Sequence, residues 1–163
     1  MSLVIARAGM EAVAETQALI IEAADWLIAR GEFLWGPNET SYEDLVRVTE
    51  AGELITGRIA GELAACMYLH NEDTLFWPND PPREAFYVHR LAVARKHAGR
   101  GFAHAMLDWA VEETRRERRF YLRLDCEPRP KLLALYQSAG FSRVDQNPIE
   151  VIGHFVVRHE KHV

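Results

Sequence analysis

The chain has 163 residues, a formal net charge of −5 at pH 7 and a hydrophobic fraction of 48%. This length is enough for one packed core, and the negative charge argues against nonspecific nucleic-acid binding as the main role. No apolar run reaches the roughly 18 residues that a membrane helix needs, so no membrane association is expected. The two cysteines lie in apolar runs, which favours a reduced, cytoplasmic protein over a disulfide framework. We therefore expect one domain over residues 1–163.

The first half of the chain predicts a strand, two helices and two further strands. Apolar residues recur at helical spacing in the helices and form short runs in the strands, with glycines near the ends of several elements. These elements are expected at residues 3–7, 10–30, 41–52, 54–58 and 62–70.

The second half predicts a strand, a short basic loop, a helix, a strand, a helix and a closing pair of strands. The closing strands are expected at 141–145 and 152–158, around a turn formed by Gln146, Asn147 and Pro148. The remaining elements are expected at 85–94, from Gly101 onward and at 120–126, with a last helix that follows Pro128 and Pro130 and ends before Gly140. The predicted order is β-α-α-β-β-β-α-β-α-β-β.

The basic loop before the third helix has the features of an anion site. Free N–H groups of the first helical turn point out of the helix end, and Gly99 and Gly101 let the backbone approach a ligand. Lys96 and Arg100 add positive charge. The spacing is neither that of a P-loop nor that of the dinucleotide fingerprint, whose third glycine is replaced by His104. The loop therefore predicts phosphate binding of another kind.

Two motifs in this order resemble those of the GNAT superfamily of N-acetyltransferases. The first is the basic-x-x-Gly-x-Gly loop after a strand ending Leu-Ala-Val, and the second is LYxxxGF at residues 135–141. The resemblance implies an α/β (α+β-like) fold with a mixed, mostly antiparallel central sheet flanked by helices. It also implies transfer of an acetyl group from acetyl-CoA, without a metal, to a primary amine by direct attack in a ternary complex.

The resemblance also implies which residues hold the cosubstrate. Main-chain groups of Leu91, Ala92 and Val93 would pair with the pantetheine arm as an added strand does. Arg129 stands where many members carry a pantetheine-binding Asn, and its guanidinium is an alternative partner for the CoA phosphates. The pyrophosphate would be held by Lys96, Ala98, Gly99, Arg100, Gly101, Phe102 and Ala103.

Tyr136 and His89 are the catalytic candidates. By resemblance, Tyr136 protonates the departing thiolate, and a phenol with a pKa near 10 is an adequate acid when it is held in reach. Its alternative is a core tyrosine on the same helical stripe as its apolar neighbours. His89 is the first candidate for the base that deprotonates the acceptor, because imidazole titrates near neutrality. Its rivals are Glu84, Asp125 and Glu127, and its alternative is a hydrogen-bonded strand histidine.

Three further expectations concern neighbouring groups. Alternation along the central strand places Tyr87, His89 and Leu91 on one face unless a bulge intervenes. Asp125 is equally consistent with a structural ion pair to Arg90 or Arg123. No metal is expected at His159 and His162, because a spacing of three does not place both on one strand face, and Cys126 is expected to be a buried, inert thiol.

The loops at 32–41, 71–84 and 146–152 would border the acceptor site by resemblance. They combine aromatic and acidic side chains, from which we select Trp35, Trp77 and Glu84. Such groups suit a cationic amine through cation–π contacts and ion pairs, although aromatic loops also serve as lids packed on a core. The expected partner is a small-molecule amine, and a homodimer stays open.

Two other functions are compatible with the same residues. A non-catalytic acyl-CoA-binding or sensing module would keep the loop without turnover. A nucleotide-binding domain of unrelated fold would bind ATP or NAD in place of CoA.

Overall fold

The computed structural model describes residues 2–163, which form four α-helices and eight strands. The helices are α1 Val13–Ile28, α2 Tyr42–Glu50, α3 Phe102–Arg116 and α4 Pro130–Ser138. The strands are β1 Val4–Arg7, β2 Leu54–Ile59, β3 Glu62–His70, β4 Ala85–Val93, β5 Tyr121–Cys126, β6 Ser142–Arg143, β7 Ile149–Val151 and β8 His154–His162. Within this part of the chain, none of the helices combines the length and the apolar character that a bilayer crossing requires.

Local sequence signals fix where the helices begin and end. The Ser41 hydroxyl caps α2 by accepting the Asp44 amide N–H at 3.1 Å, and Gly52 with φ +73° follows the end of that helix. Helix α4 has Pro130 in its first turn and Gly140, with φ +87°, just after its end. These are the boundaries that the sequence predicts.

The chain divides into two compact units, of which the first comprises the residues up to Tyr68 together with Arg90–Met106. In this unit β1 pairs antiparallel with β2, and β2 pairs antiparallel with β3. Its core has buried side chains from α1, α2, β2, β3 and the end of β4, including Val13, Ile20, Leu45, Val48, Leu54 and Ala92.

The second unit comprises Leu69–His89 and Leu107–Val163. Here β4 runs parallel to β5, β5 is antiparallel to β8, and β6 and β7 each pair antiparallel with β8. Parallel strands cannot be joined by a tight turn and need a long crossover connection. The connection from β4 to β5, which contains α3, provides one. Each of these pairings in the two units is antiparallel except β4–β5. The expectation of a single domain over residues 1–163 stays a prediction.

The end of the chain differs from the expected closing pair of strands. Segment 141–145 contributes β6, and the expected strand at 152–158 is found as β8, which pairs antiparallel with β6. An additional strand, β7, precedes β8 and forms a hairpin with it. The turn lies at Ile152 and Gly153, with φ values of +43° and +81°, and the register pairs Val151 with His154. The prediction of a turn at 146–148 between the last two strands was therefore wrong, and the chain has one strand more than expected.

Strand β4 does not keep regular alternation along its length. Arg90 has φ +51°, a left-handed conformation inside a strand, and its guanidinium bonds the Glu39 carbonyl at 3.1 Å. The side-chain periodicity that puts Tyr87 and His89 on one face is interrupted there, so Leu91 falls under the exception that the prediction allowed.

Candidate functional site

The loop between β4 and α3 has the backbone that the sequence predicted for an anion site. Arg95–His97 form a single 3-10 turn, and α3 begins at Phe102. Gly99 and Gly101 have φ values of +77° and +79°, and a Cβ at either position would meet no heavy atom within 4 Å. The backbone conformation, rather than packing, therefore selects glycine at both positions. In an α-helix the first amide N–H groups lack a carbonyl partner within the helix, and such groups at a helix N-terminus suit an anion.

Lys96 and Arg100, the two cations of this loop singled out from the sequence, are held by neighbouring side chains. Lys96 forms an ion pair with Glu62, and this bond lowers the pKa of the Glu62 carboxyl. One Arg100 guanidinium nitrogen lies 2.9 Å from His97 Nδ1, and the guanidinium carbon lies 4.9 Å from the centroid of the Phe102 ring. The Lys96 side chain is 62% exposed, so its charge remains accessible to a ligand. The donor set, with its cations, open backbone and helix N-terminus, fits a pyrophosphate.

Arg129, the residue at the position of the expected Asn, is the residue before α4. Its guanidinium lies 2.7 Å from the Glu127 carboxylate. Glu127, a rival for the role of base, is thus engaged in an ion pair. A contact between Arg129 and the CoA phosphates stays a prediction.

Tyr136 lies on α4 and is 8% exposed. Its ring packs edge-on against Phe141, with centroids 6.0 Å apart, and lies 5.9 Å from the His159 ring. Burial raises the pKa of the Tyr136 hydroxyl, which therefore carries its proton throughout the physiological range. Such a group carries a proton but is a weaker acid than a phenol with the ordinary pKa, and its packing equally suits a core residue. His159 was not singled out as its neighbour from the sequence, because its strand is distant along the chain.

His89 lies on β4 and forms a short contact with a carboxylate that the sequence did not single out. Its Nε2 is 2.8 Å from Asp73 Oδ2, and the two side chains are 16% and 7% exposed. Burial acts to raise the pKa of Asp73, but the hydrogen bond and charge of His89 outweigh it, so the pKa is lowered. The His70 and Phe76 rings lie 5.2 and 6.1 Å from the His89 ring.

Asp125, a rival base on β5, belongs to the same cluster. Ligand atoms of Asp73, His89 and Asp125 all lie within 4.8 Å of one another. The two arginines expected as its partners have other ion pairs: Arg90 with Glu39, and Arg123 with carboxylates of the same unit. A carboxyl–imidazole–carboxyl group is suited to accept a proton or to hold a cation.

The three residues chosen for the acceptor each contact an arginine. The Arg90 guanidinium lies 5.7 Å from the Trp35 ring centroid, and that of Arg123 lies 4.9 Å from the Trp77 ring centroid. The Glu84 carboxylate is 2.6 Å from Arg123. Trp77 is only 6% exposed, because it packs with Ala85 and Tyr87 in the core of the second unit. Their role toward an acceptor stays a prediction.

A sequence profile described as the acetyltransferase (GNAT) family matches residues 18–141. The chain belongs to this family. The curated relative YesJ of Bacillus subtilis strain 168, an uncharacterized N-acetyltransferase, is 32% identical over 114 residues. The match covers 66% of this chain and 63% of YesJ, so the chain spans less than two thirds of that relative's length.

Solved structures with the same fold come from several GNAT proteins. A GNAT-family acetyltransferase from Listeria monocytogenes superposes with a TM-score of 0.80 at 22% identity, over 99% of this chain and 95% of that one. YncA from Salmonella typhimurium, determined with its cofactor acetyl-CoA, gives 0.76 at 15% identity, over 99% and 94%. The PaiA N-acetyltransferase from Thermoplasma acidophilum, determined with coenzyme A, gives 0.77 at 14%, over both whole chains. The predicted GNAT fold class is confirmed.

Proposed function

We propose that this GNAT chain is an enzyme that transfers an acetyl group from acetyl-CoA to a primary amine of a small molecule. One observation carries the proposal: two left-handed glycines and the cations Lys96 and Arg100 precede the N-terminus of α3, in a chain of an acetyltransferase family. The presence of acetyl-CoA or CoA in the YncA and PaiA structures supports the same cosubstrate here.

The cosubstrate would be held mainly by main-chain groups. Leu91, Ala92 and Val93 would pair with the pantetheine arm, and Arg129 is an additional partner for the phosphates. The loop and the first turn of α3 would bind the pyrophosphate through Lys96, Ala98, Gly99, Arg100, Gly101, Phe102 and Ala103. Acetyl-CoA supplies the acetyl group as an activated thioester.

Three groups of this chain would then act on protons and charge. Main-chain N–H groups of Leu91–Val93 would polarise the acetyl carbonyl, as preorganised donors do in acyl transfer. The Tyr136 hydroxyl, which burial keeps protonated, would give its proton to the leaving sulfur. His89 would accept a proton from the acceptor nitrogen.

The residues proposed to border the acceptor are chemically suited to a cation. Trp35 and Trp77 each have a guanidinium within 6 Å of the ring, and Glu84 pairs with one of the same two arginines. Two carboxyl groups also lie beside His89. These two carboxyl groups support an ammonium-bearing acceptor over a neutral one.

Thermal unfolding with acetyl-CoA, CoA, ATP and NAD in parallel tests the proposal. A ligand at about a hundred times its Kd stabilises the native state by about 2.7 kcal/mol, which raises the midpoint by several degrees. Acetyl-CoA and CoA should raise it while ATP and NAD should not. A panel of amines with detection of the released thiol then identifies the acceptor. If neither CoA compound shifts the midpoint, the proposal fails.

A non-catalytic acyl-CoA-binding or sensing module is the second candidate, and the burial of Tyr136 favours it. Tyr136→Phe separates the two. For an enzyme it lowers kcat by about 100-fold, the scale of general acid catalysis, and leaves acetyl-CoA affinity nearly intact. Tyr42→Phe, at an exposed tyrosine of α2, is the matched control and should keep full turnover. Binding without turnover for any amine would favour the sensing module.

A further inference from the structure

The imidazole of His89 lies in a cluster with two carboxyl groups that come from different elements. Asp73 belongs to the loop after β3 and Asp125 to β5, and the three ligand atoms lie within 4.8 Å of one another. Asp73 has the direct contact, at 2.8 Å between Oδ2 and the ring Nε2. The geometry therefore distinguishes the two ring nitrogens of His89.

The position of the Asp73 carboxylate is fixed by its own loop. Its Oδ1 accepts the Phe76 amide N–H at 3.0 Å, and its carbonyl accepts the Trp77 amide N–H at 2.9 Å. The far end of the loop is held by Asp80, whose Oδ2 accepts the Tyr87 hydroxyl at 2.5 Å. Both oxygens of Asp73 thus have defined partners, one in the main chain and one in the imidazole.

We propose that Asp73 is a positioning residue, which keeps the ring proton of His89 on Nε2 and leaves Nδ1 to accept the proton of the acceptor amine. This inference rests on the proposed role of His89 as the base. When Nδ1 takes the proton from the acceptor nitrogen, the N–H bond of the acceptor breaks and a new N–H bond forms on the ring. The positive imidazolium then lies beside the Asp73 carboxylate, which stays ionised, and later returns the proton to solvent.

The pH dependence of kcat/KM should depend on the titratable groups around the His89 ring. They are Asp73 from the loop, Asp125 from β5 and His70 from β3, whose ring centroid lies 5.2 Å away. A nearby carboxylate favours the imidazolium, whereas a protonated His70 would oppose it. Removal of the Asp73 charge should therefore move the acidic limb of the kcat/KM profile to lower pH.

The first test is the tautomer of His89 in the native chain, which needs no turnover. Long-range proton–nitrogen NMR of uniformly labelled protein, above the pH of imidazole titration, reports which ring nitrogen carries hydrogen. The His89 signals are assigned by their loss in His89→Gln. Hydrogen on Nε2 is expected, and hydrogen mainly on Nδ1 would overturn the proposal whatever the activity.

The second test is Asp73→Asn. In this variant the amide oxygen takes the place of Oδ1 and accepts the Phe76 N–H. The amide NH2 therefore takes the place of Oδ2 and donates a hydrogen bond to His89 Nε2. The ring proton should then move to Nδ1, and kcat should fall about 10- to 100-fold with little change in the KM for acetyl-CoA. Asp108→Asn, an equal charge change at an exposed position of α3, is the control. It should change neither the His89 tautomer nor kcat.

The outcomes separate this inference from the proposed function. Full turnover in His89→Gln would reject His89 as the base, and with it the role of Asp73 in catalysis. An unchanged tautomer and unchanged kcat in a folded Asp73→Asn would reject the positioning role alone. Loss of wild-type turnover on treatment with a metal chelator would also overturn the proposal, because the three ligand atoms would then serve a metal ion.

Discussion

Two left-handed glycines determine the shape of the loop before α3. At φ +77° and +79°, Gly99 and Gly101 lie in a region that costs an L-residue about 1–2 kcal/mol. Gly101→Ala should therefore lower the free energy of unfolding by about that amount and turn the following N–H groups away from the pyrophosphate. We expect acetyl-CoA affinity to fall at least about tenfold, which calorimetric titration would measure.

A matched substitution separates strain from ligand binding. Gly52 has φ +73°, and a Cβ there, as at Gly101, would meet no heavy atom within 4 Å. Gly52→Ala should cost the same stability but leave acetyl-CoA affinity unchanged. Equal affinity in both variants would show that the loop does not hold the ligand.

The sequence was informative about residues whose chemistry is local. The glycines and cations of the loop are contiguous, and the Tyr136 motif lies within seven residues of one helix and its end. The sequence did not identify Asp73 as a site residue, because its partner His89 is sixteen residues away along the chain. Nothing in the loop distinguishes Asp73 from the neighbouring acidic residues. The burial of Trp77 was equally hidden, since it depends on packing with Ala85 and Tyr87 of β4 and with arginines from β5 and β8.

At the scale of elements, the β7–β8 hairpin has an unfavourable residue in its turn. Ile152 has φ +43°, a left-handed conformation that is unfavourable for a β-branched residue. Its side chain is 73% exposed, so burial does not offset this cost. Ile152→Asn should raise the free energy of unfolding by about 1 kcal/mol, because Asn tolerates this conformation better. The thermal midpoint should rise by about 2–4 °C.

Val144→Asn is the control for the loss of an exposed apolar side chain. Val144 is 42% exposed and is not among the residues with positive φ, so this change should not stabilise the chain. If the free energy of unfolding rises equally in both variants, the cause is the removal of an exposed apolar group and not the relief of backbone strain.

This turn also explains the wrong prediction at the end of the chain. Hairpins with two-residue turns are recognised from Asn-Gly or Asp-Gly, whereas Ile152-Gly153 reads as part of an apolar strand. The Gln-Asn-Pro segment carries the stronger turn signal and was chosen instead. The helices were predicted well because caps such as Ser41 and stops such as Gly140 act within a few residues of the helix ends.

A bidentate ion pair fastens the segment between β6 and β7 to β8. Arg158 Nε and Nη2 donate to the two Asp145 oxygens at 3.0 and 2.9 Å, and the Arg158 amide donates to Oδ2 at 3.0 Å. Burial acts to raise the pKa of Asp145, but the hydrogen bonds and charge of Arg158 outweigh it and lower the pKa. Asp145→Asn should cost about 2 kcal/mol of unfolding free energy at neutral pH.

The sign of the pH dependence follows from the lowered pKa. The ionised carboxylate contributes its full stability above its unfolded pKa, near 3.9, and loses it as pH falls through the lower folded value. Denaturant unfolding at a series of pH values should therefore show the wild type and Asp145→Asn converging below about pH 4. Glu150→Gln, at an exposed position of β7, should show no such difference. If the wild type and Asp145→Asn differed in free energy of unfolding by the same amount at all pH values, the charge of Asp145 would be excluded as the cause of the difference.

At the scale of the whole molecule, the two cysteines report on cooperativity. Cys66 lies in the first unit and Cys126 in the second, at 0% and 7% exposure. Burial raises the pKa of each thiol to about 12, and a nearby Asp125 adds to the effect at Cys126. Because the thiolate is the nucleophile, neither should react in the native state at about pH 8. The native chain then adds no signal to an assay of released CoA thiol.

The rates of thiol modification test whether the chain unfolds as one domain. If it does, as its length predicts, both thiols become reactive through the same global opening and are alkylated at the same rate. Iodoacetamide labelling followed by mass spectrometry of the two cysteine peptides measures both rates in the unmodified sequence, with the denatured chain as reference. Labelling of one thiol about tenfold faster than the other would correspond to a difference of about 1.4 kcal/mol in opening free energy, and would show that its unit opens independently. Equal rates that fall together when acetyl-CoA is added would show that ligand binding stabilises both units as one cooperative structure.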